Sequence, residues 1–309
     1  MSGRLVLSLL AVLLGPACTA PPAAPMRARL GAEAEGLEAL ARAFERANPG
    51  YTLAWWPPGS GHVPAEDRDR VLFVQGAAGE IRFGMASSAV PDPRAVAPGD
   101  LVLLPAGTAL RVGGGPGLLA FGLPQALPPG LPPVIRPDHD PRITDTPGGC
   151  AEDDEAYRRL LLTWRPERGP YVFHGLNAHR VRIQDSFSHY HPSAGGFDEF
   201  YLVQAAAAGS RLITSVRVPE IEREVLPEDP ASLLQVQPVA AGELYYLPRG
   251  TLHRGLGDLV VQVIAVPGFR PGAEIGLDHH LRRISEALAA RGRPPLPYHE
   301  AASLAEVVK

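Results

Sequence analysis

Two imidazoles two residues apart, in His189-Tyr190-His191, project from the same face of any strand that carries them, which is the spacing of paired metal ligands. After a Pro-Ser-Ala-Gly-Gly turn, Glu199 opens a strand-like run, Phe200-Tyr201-Leu202-Val203. A hairpin there brings its carboxylate back beside the histidines. Two histidines and a carboxylate can occupy one face of an octahedral ion and leave the other positions to water or substrate. Further on, Gly242 is followed by Pro248, Gly250 and His253. The proline and glycine form a tight turn, so His253 emerges on the next strand as a fourth ligand. Asp198 is the substitute if Glu199 faces the wrong way. Tyr201 shares strand parity with Glu199 and is the candidate catalytic residue, its phenol positioning a ligand or donating a proton. A core tyrosine hydrogen-bonded to a neighbour is the alternative. Either Tyr245 or Tyr246 must also point inward. Arg182 and Gln184 alternate on the preceding strand, either binding a substrate carboxylate or facing solvent, while His174 and His179 read as ordinary strand or loop residues.

The elements that must position these groups read as strands. The chain has 309 residues, 33 glycines and 34 prolines, and its only lysine is Lys309. That composition favours short strands and turns over helical bundles. With 20% charged and 45% hydrophobic residues and a net charge of -4, neither disorder nor a nucleic-acid surface is indicated. The sequence also repeats itself. Asp69–Gln75 can be laid over Asp198–Gln204 at a shift of 129, which puts His62 over His191. Gly99, Pro105, Gly107 and Leu110 repeat Gly242, Pro248, Gly250 and His253 at a shift of 143. In this first copy Ser60, Arg70 and Leu110 stand where His189, Glu199 and His253 stand in the second, so it lacks a metal site.

These motifs resemble the cupin family, whose first motif is H-x-H, a short gap and E, and whose second is G-x5-P-x-G-x2-H. The second matches at every fixed position through His253. In the first, seven residues separate His191 from Glu199, and Ile183 stands where the family has a glycine. The resemblance covers about Tyr51 to Phe269. It implies a mainly β fold of two cupin-type barrels (double-stranded β-helix, jelly-roll) with a few flanking helices, the first barrel being degenerate. It also implies one divalent metal, iron or manganese first, with zinc, nickel and copper open, and a homodimer by analogy. Neutral imidazoles and one carboxylate leave a divalent ion with a charge of about +1, which favours a small anionic substrate. The leading expectation is a non-haem dioxygenase, an oxidoreductase acting on a small oxygenated molecule. The alternatives are a metal-dependent isomerase, lyase or decarboxylase, or a non-enzymatic ligand-binding cupin.

The expected organisation is an export signal over 1–18, a tether and helix over 19–50, the degenerate domain over 51–122 and a Pro/Gly-rich linker over 123–149. The metal-binding domain follows over 150–273, then a closing helix and tail over 274–309. Arg4 and the apolar run Leu5–Leu14 are those of a secretory signal, too short to span a bilayer. Cys18 follows a sequence resembling a lipobox, so the protein is expected at the cell envelope or periplasm, either lipid-anchored to the membrane through Cys18 or cleaved without a lipid, an uncleaved tail being the third alternative. Cys150 has no assigned role. The sequence further predicts helices at 37–44, 152–164 and 278–291, the last capped by Asp278, with His279 and His280 solvated. Asp138-His139-Asp140 reads as a solvated linker cluster, and 218–241 as either a lid or a decorated surface loop.

Overall fold

The computed structural model describes residues 23–84, 93–148 and 156–309. The signal, Cys18 and Cys150 lie outside the described residues. Among those described, no helix is long and apolar enough to cross a membrane. The chain is mainly β, with two sheet domains and flanking helices. One sheet has seven strands and runs in the order Thr52–Trp56, Ala109–Gly122, Arg70–Gly84, Leu101–Leu104, Val134–Ile135, with two short strands attached. The other has ten and runs Met26–Arg29, Glu243–Leu247, Asp198–Ala206, Leu252–Val266, Asn177–Asp185, Arg158–Leu162. Four more strands branch from Leu252–Val266, directly or through a neighbour. Among the described residues the pairings form branched paths and do not close into rings.

Both faces of the central strands are covered, which explains their unbroken apolar runs. Along Asp198–Val203 every residue is buried. Tyr201 and Val203 join an interior cluster with Val181, Tyr245 and Val263. Phe200 and Leu202 face the other way, into a core shared with the first sheet. There the helix Leu37–Ala47 inserts its stripe of Leu37, Leu40 and Phe44. The Phe44 ring lies 5.7 Å from Phe121 of the first sheet and 5.0 Å from Phe200 of the second, both edge-on. Offset and edge-on contacts of this kind add to simple burial.

The repeat is a repeat of register. Arg70 pairs with Leu104 and Gly122 as Glu199 pairs with Leu247 and Ala265. Nearer the first motif the register corrects the alignment. His189 sits opposite His253, and in the first sheet it is Val63 that sits opposite Leu110. Val63, not Ser60, therefore occupies the place of His189, and the gap to Arg70 is three residues shorter than the gap from His189 to Glu199. The extra residues belong to the turn at Pro192–Gly196, closed by a Gly196 N–H to Pro192 carbonyl bond.

Several expectations change. The segment read as a helix over 152–164 is a strand at Arg158–Leu162, paired to Asn177–Asp185. Its Leu160-Leu161-Leu162 run is buried by that pairing, a tertiary preference that overrides helical propensity. Within the linker, Val134–Ile135 pairs with Leu101 and Val102. Asp138 is no free ligand but a tie, holding Arg159 at 2.9 Å and Arg180 at 2.5 Å on the second sheet. Met26–Arg29, read as tether, is an edge strand of the second sheet on Glu243–Tyr246. Helix Asp278–Ala289 forms as predicted, yet Leu277 takes the N-cap position. His279 is buried and His280 contacts Glu224 at 2.9 Å, so the pair is not simply solvated. Of the 218–241 segment, Val218, Ile221, Leu233 and Leu234 pack on that helix through Leu277, Leu281 and Ile284.

Candidate metal centre

Three strands and two turns bring the four predicted ligands together. His189 lies on the short strand His189–Tyr190, directly opposite His253. Glu199 enters from the second residue of Asp198–Ala206, flanked by Leu247 and Ala265. His191 follows its strand, and its carbonyl accepts the Gly250 N–H at 2.6 Å. Gly250 can make that turn because its φ of 88° lies in the left-handed region open to glycine. The four ligand atoms lie within 4.8 Å of one another and all four residues are buried.

The protonation pattern fits a cation. The Nδ1 of His189 faces the Phe187 carbonyl at 3.1 Å, and that of His253 faces the Thr251 carbonyl at 3.2 Å. A ring nitrogen beside a carbonyl carries the proton, which leaves Nε2 as a lone pair. His253 Nε2 then meets Glu199 Oε1 at 3.1 Å. Two acceptors so close repel unless a cation lies between them. His191 Nε2 is 3.7 Å from Glu199 Oε2 and, though buried, has no hydrogen-bond partner. Burial first, then the neighbouring His253 imidazole, holds the pKa of His189 and His191 well below the ordinary histidine value. Three imidazoles converging on a carboxylate are a donor set that could hold a divalent ion.

The surroundings fix the ligands. Phe187 stacks on His189 and Phe197 on His191, with ring centroids 4.4 and 3.8 Å apart. The Asp278 carboxylate accepts the Ser188 N–H at 2.6 Å, pinning the residue before His189. Asp198 is not the substitute ligand, since strand alternation turns it away from Glu199. Its carboxylate accepts from Asn48 at 2.6 Å, Tyr246 at 2.8 Å and the Arg249 side chain at 2.8 Å. It thus ties the helix Leu37–Ala47 to the turn before His253.

Of the tyrosine pair, Tyr245 points inward and Tyr246 into the shared core. Tyr201 lies inside as predicted, edge-on to His253 at 5.9 Å. Arg182 does not reach the site; it pairs with exposed Asp258 at 2.6 Å on the outer face. Gln184 has the same outward parity and is exposed.

Three groups in this region escaped the sequence reading, and a fourth, His179, was read as an ordinary strand or loop residue. His179 shares inward parity with Val181 and Ile183, and its Nε2 is buried without a hydrogen bond. Arg158 pairs with inward-facing Val181 and so has the same orientation. Gly276 pairs with His189, which places Glu274, two residues earlier, on the ligands' face. Burial, with the Glu199 charge second, raises its carboxyl to about 7. Lys309 sits with Nζ 4.3 Å from the Phe187 ring centroid. Parity with buried neighbours was the available signal for His179; the other three depend on strand pairings no local pattern announces.

No family model matches this chain, and no curated protein matches it. Solved structures do. A mutant of Bacillus subtilis oxalate decarboxylase has 12% identity over 78% of this chain and 74% of its own, with a TM-score of 0.46. Lactobacillus farciminis oxalate decarboxylase in a formate complex has 13% identity over 78% and 82%, with a TM-score of 0.43. Hazelnut (Corylus avellana) vicilin has 12% identity over 80% and 84%, with a TM-score of 0.45. Such likeness reaches no further than the fold. The dioxygenase and oxidoreductase expectation is corrected here: the enzymes matched are decarboxylases, and the four ligands by themselves do not select oxygen chemistry. The two sheet domains and the buried His/His/Glu/His cluster are consistent with a cupin-type fold carrying one divalent-metal site.

Proposed function

We propose that this chain is a two-domain cupin that works as a metal-dependent lyase, removing carbon dioxide from a small organic acid. The carrying observation is the buried convergence of His189, His191, Glu199 and His253. Manganese or iron suits three imidazoles and a carboxylate with open positions. When bound, the ion supplies Lewis-acid stabilisation for negative charge on substrate oxygens.

The chain's own groups do the rest. Arg158 and Lys309, both lining one cavity, draw in and orient an anion. Cleaving the bond from carbon to carboxylate releases carbon dioxide and leaves its electron pair on that carbon. Glu274, whose carboxyl is held to about 7 by burial and by Glu199, is placed to deliver the proton that completes the product. Phe187, Phe197 and Phe269 exclude water from one side.

Metal analysis beside carbon dioxide and oxygen measurements on a panel of organic acids tests this. About one manganese or iron per chain, with carbon dioxide released and no oxygen consumed, is the expected outcome. Absence of metal after reconstitution removes the site; metal without carbon dioxide release leaves a ligand-binding cupin.

A further inference from the structure

A cavity of about 270 Å³ is lined by Arg158, Glu274 and Lys309 together with Trp164, Phe269 and Leu160. Two chains of contacts connect its lining to the candidate ligands. On one side an aromatic chain runs from His191 to Phe197 at 3.8 Å, to Phe269 at 5.5 Å and to Trp164 at 4.1 Å. On the other, Lys309 covers Phe187, which stacks on His189. Arg165 and Arg168 also line the space, so among the described residues its lining holds four cations and one acid, Glu274. Field lines from such a mouth select anions. Its volume equals the liquid share of about nine waters, room for more than a two-carbon acid. Trp164, Phe269 and Leu160 supply apolar wall, with the Arg165 guanidinium 6.0 Å from the Trp164 ring centroid.

We infer that this cavity recognises an organic carboxylate bearing an aromatic or aliphatic body, its carboxylate turned toward Arg158 and Lys309 and its body laid on Trp164 and Phe269. The inference rests on the lyase reading for where chemistry occurs and adds to it the class of substrate. Planar guanidinium groups pair with carboxylates through parallel hydrogen bonds. The indole supplies a broad face for the body.

Calorimetric binding of phenylacetate, phenylacetamide and oxalate to the full chain, both metal-loaded and chelator-stripped, tests this. Phenylacetate is expected to bind at least about tenfold more tightly than its neutral amide in both states, because the cations belong to the protein. Arg158→Gln should erase that discrimination. Trp164→Ala should weaken phenylacetate about tenfold and leave oxalate unchanged. Should Arg158→Gln fail to fold by circular dichroism, Lys309→Met provides the same comparison and should narrow the discrimination severalfold. Equal binding of amide and carboxylate to stripped protein overturns the inference, as does full discrimination in a folded Arg158→Gln variant or in Lys309→Met. Loss of metal or of carbon dioxide release with discrimination intact overturns the lyase reading instead.

Discussion

The two sheet domains share a register, yet only the second gathers ligands. In the place of Glu199 the first has Arg70, 1% exposed, bonded to Glu66 at 2.7 Å and to the Pro64 carbonyl at 2.7 Å. Leu110 stands for His253 and Val63 for His189, both within an apolar cluster with Leu72 and Val74. The same strand pairing thus supports either a polar cage or a filled core. Three or four side chains decide which, while the turns at Gly107 and Gly250, both with positive φ, remain to build the frame.

The sharpest break in this comparison is the His253→Ala variant. Its metal content should fall from about one ion to near zero, and the rise in melting temperature on adding metal should disappear, since an ion at a hundred times its dissociation constant stabilises by about 2.7 kcal/mol. Next, Phe44→Ala removes the ring on which both domains pack and should cost about 3 to 5 kcal/mol in denaturant titration. Metal stoichiometry should survive in whatever fraction stays folded. Asp198→Asn weakens the tie between Arg249 and the ligand strand. Metal affinity, read by competition with a chelating dye, should fall about tenfold, the lower end for groups that orient ligands. Smallest in its effect on metal is Arg70→Met in the first domain, which leaves Glu66 and the Pro64 and Thr108 carbonyls without their donor and should cost about 1 to 3 kcal/mol of stability. It should leave metal content untouched; a loss of metal there would show that the first domain takes part in binding.

The four candidate ligands were legible because each sits within a few residues of the turn or strand that aims it. His189 and His191 needed only period-two alternation, and His253 only the Pro248–Gly250 turn. Arg158 and Glu274 were not legible, since their positions follow from pairings with Asn177–Asp185 and His189–Tyr190. Arg158 was further hidden by a segment whose acidic start read as a helix. Arg182 looked like an anion binder from its type alone, but one residue of parity sends it to the outer face. The misplacement of Ser60 over His189 has a similar origin: a shift fixed on one strand does not carry through a turn of different length.

Met26–Arg29 pairs with Glu243–Tyr246 across roughly 220 residues of chain. During synthesis, at about 5 to 20 residues per second, that strand has no partner for on the order of 10 to 40 seconds after it emerges. The helix behind it can dock on the first sheet meanwhile, but the second sheet gains this edge only when Glu243–Leu247 has left the ribosome. Contacts of such separation slow folding. The ribosome-bound chain therefore carries an unpaired edge through most of its birth, and its interval of greatest exposure to aggregation ends late.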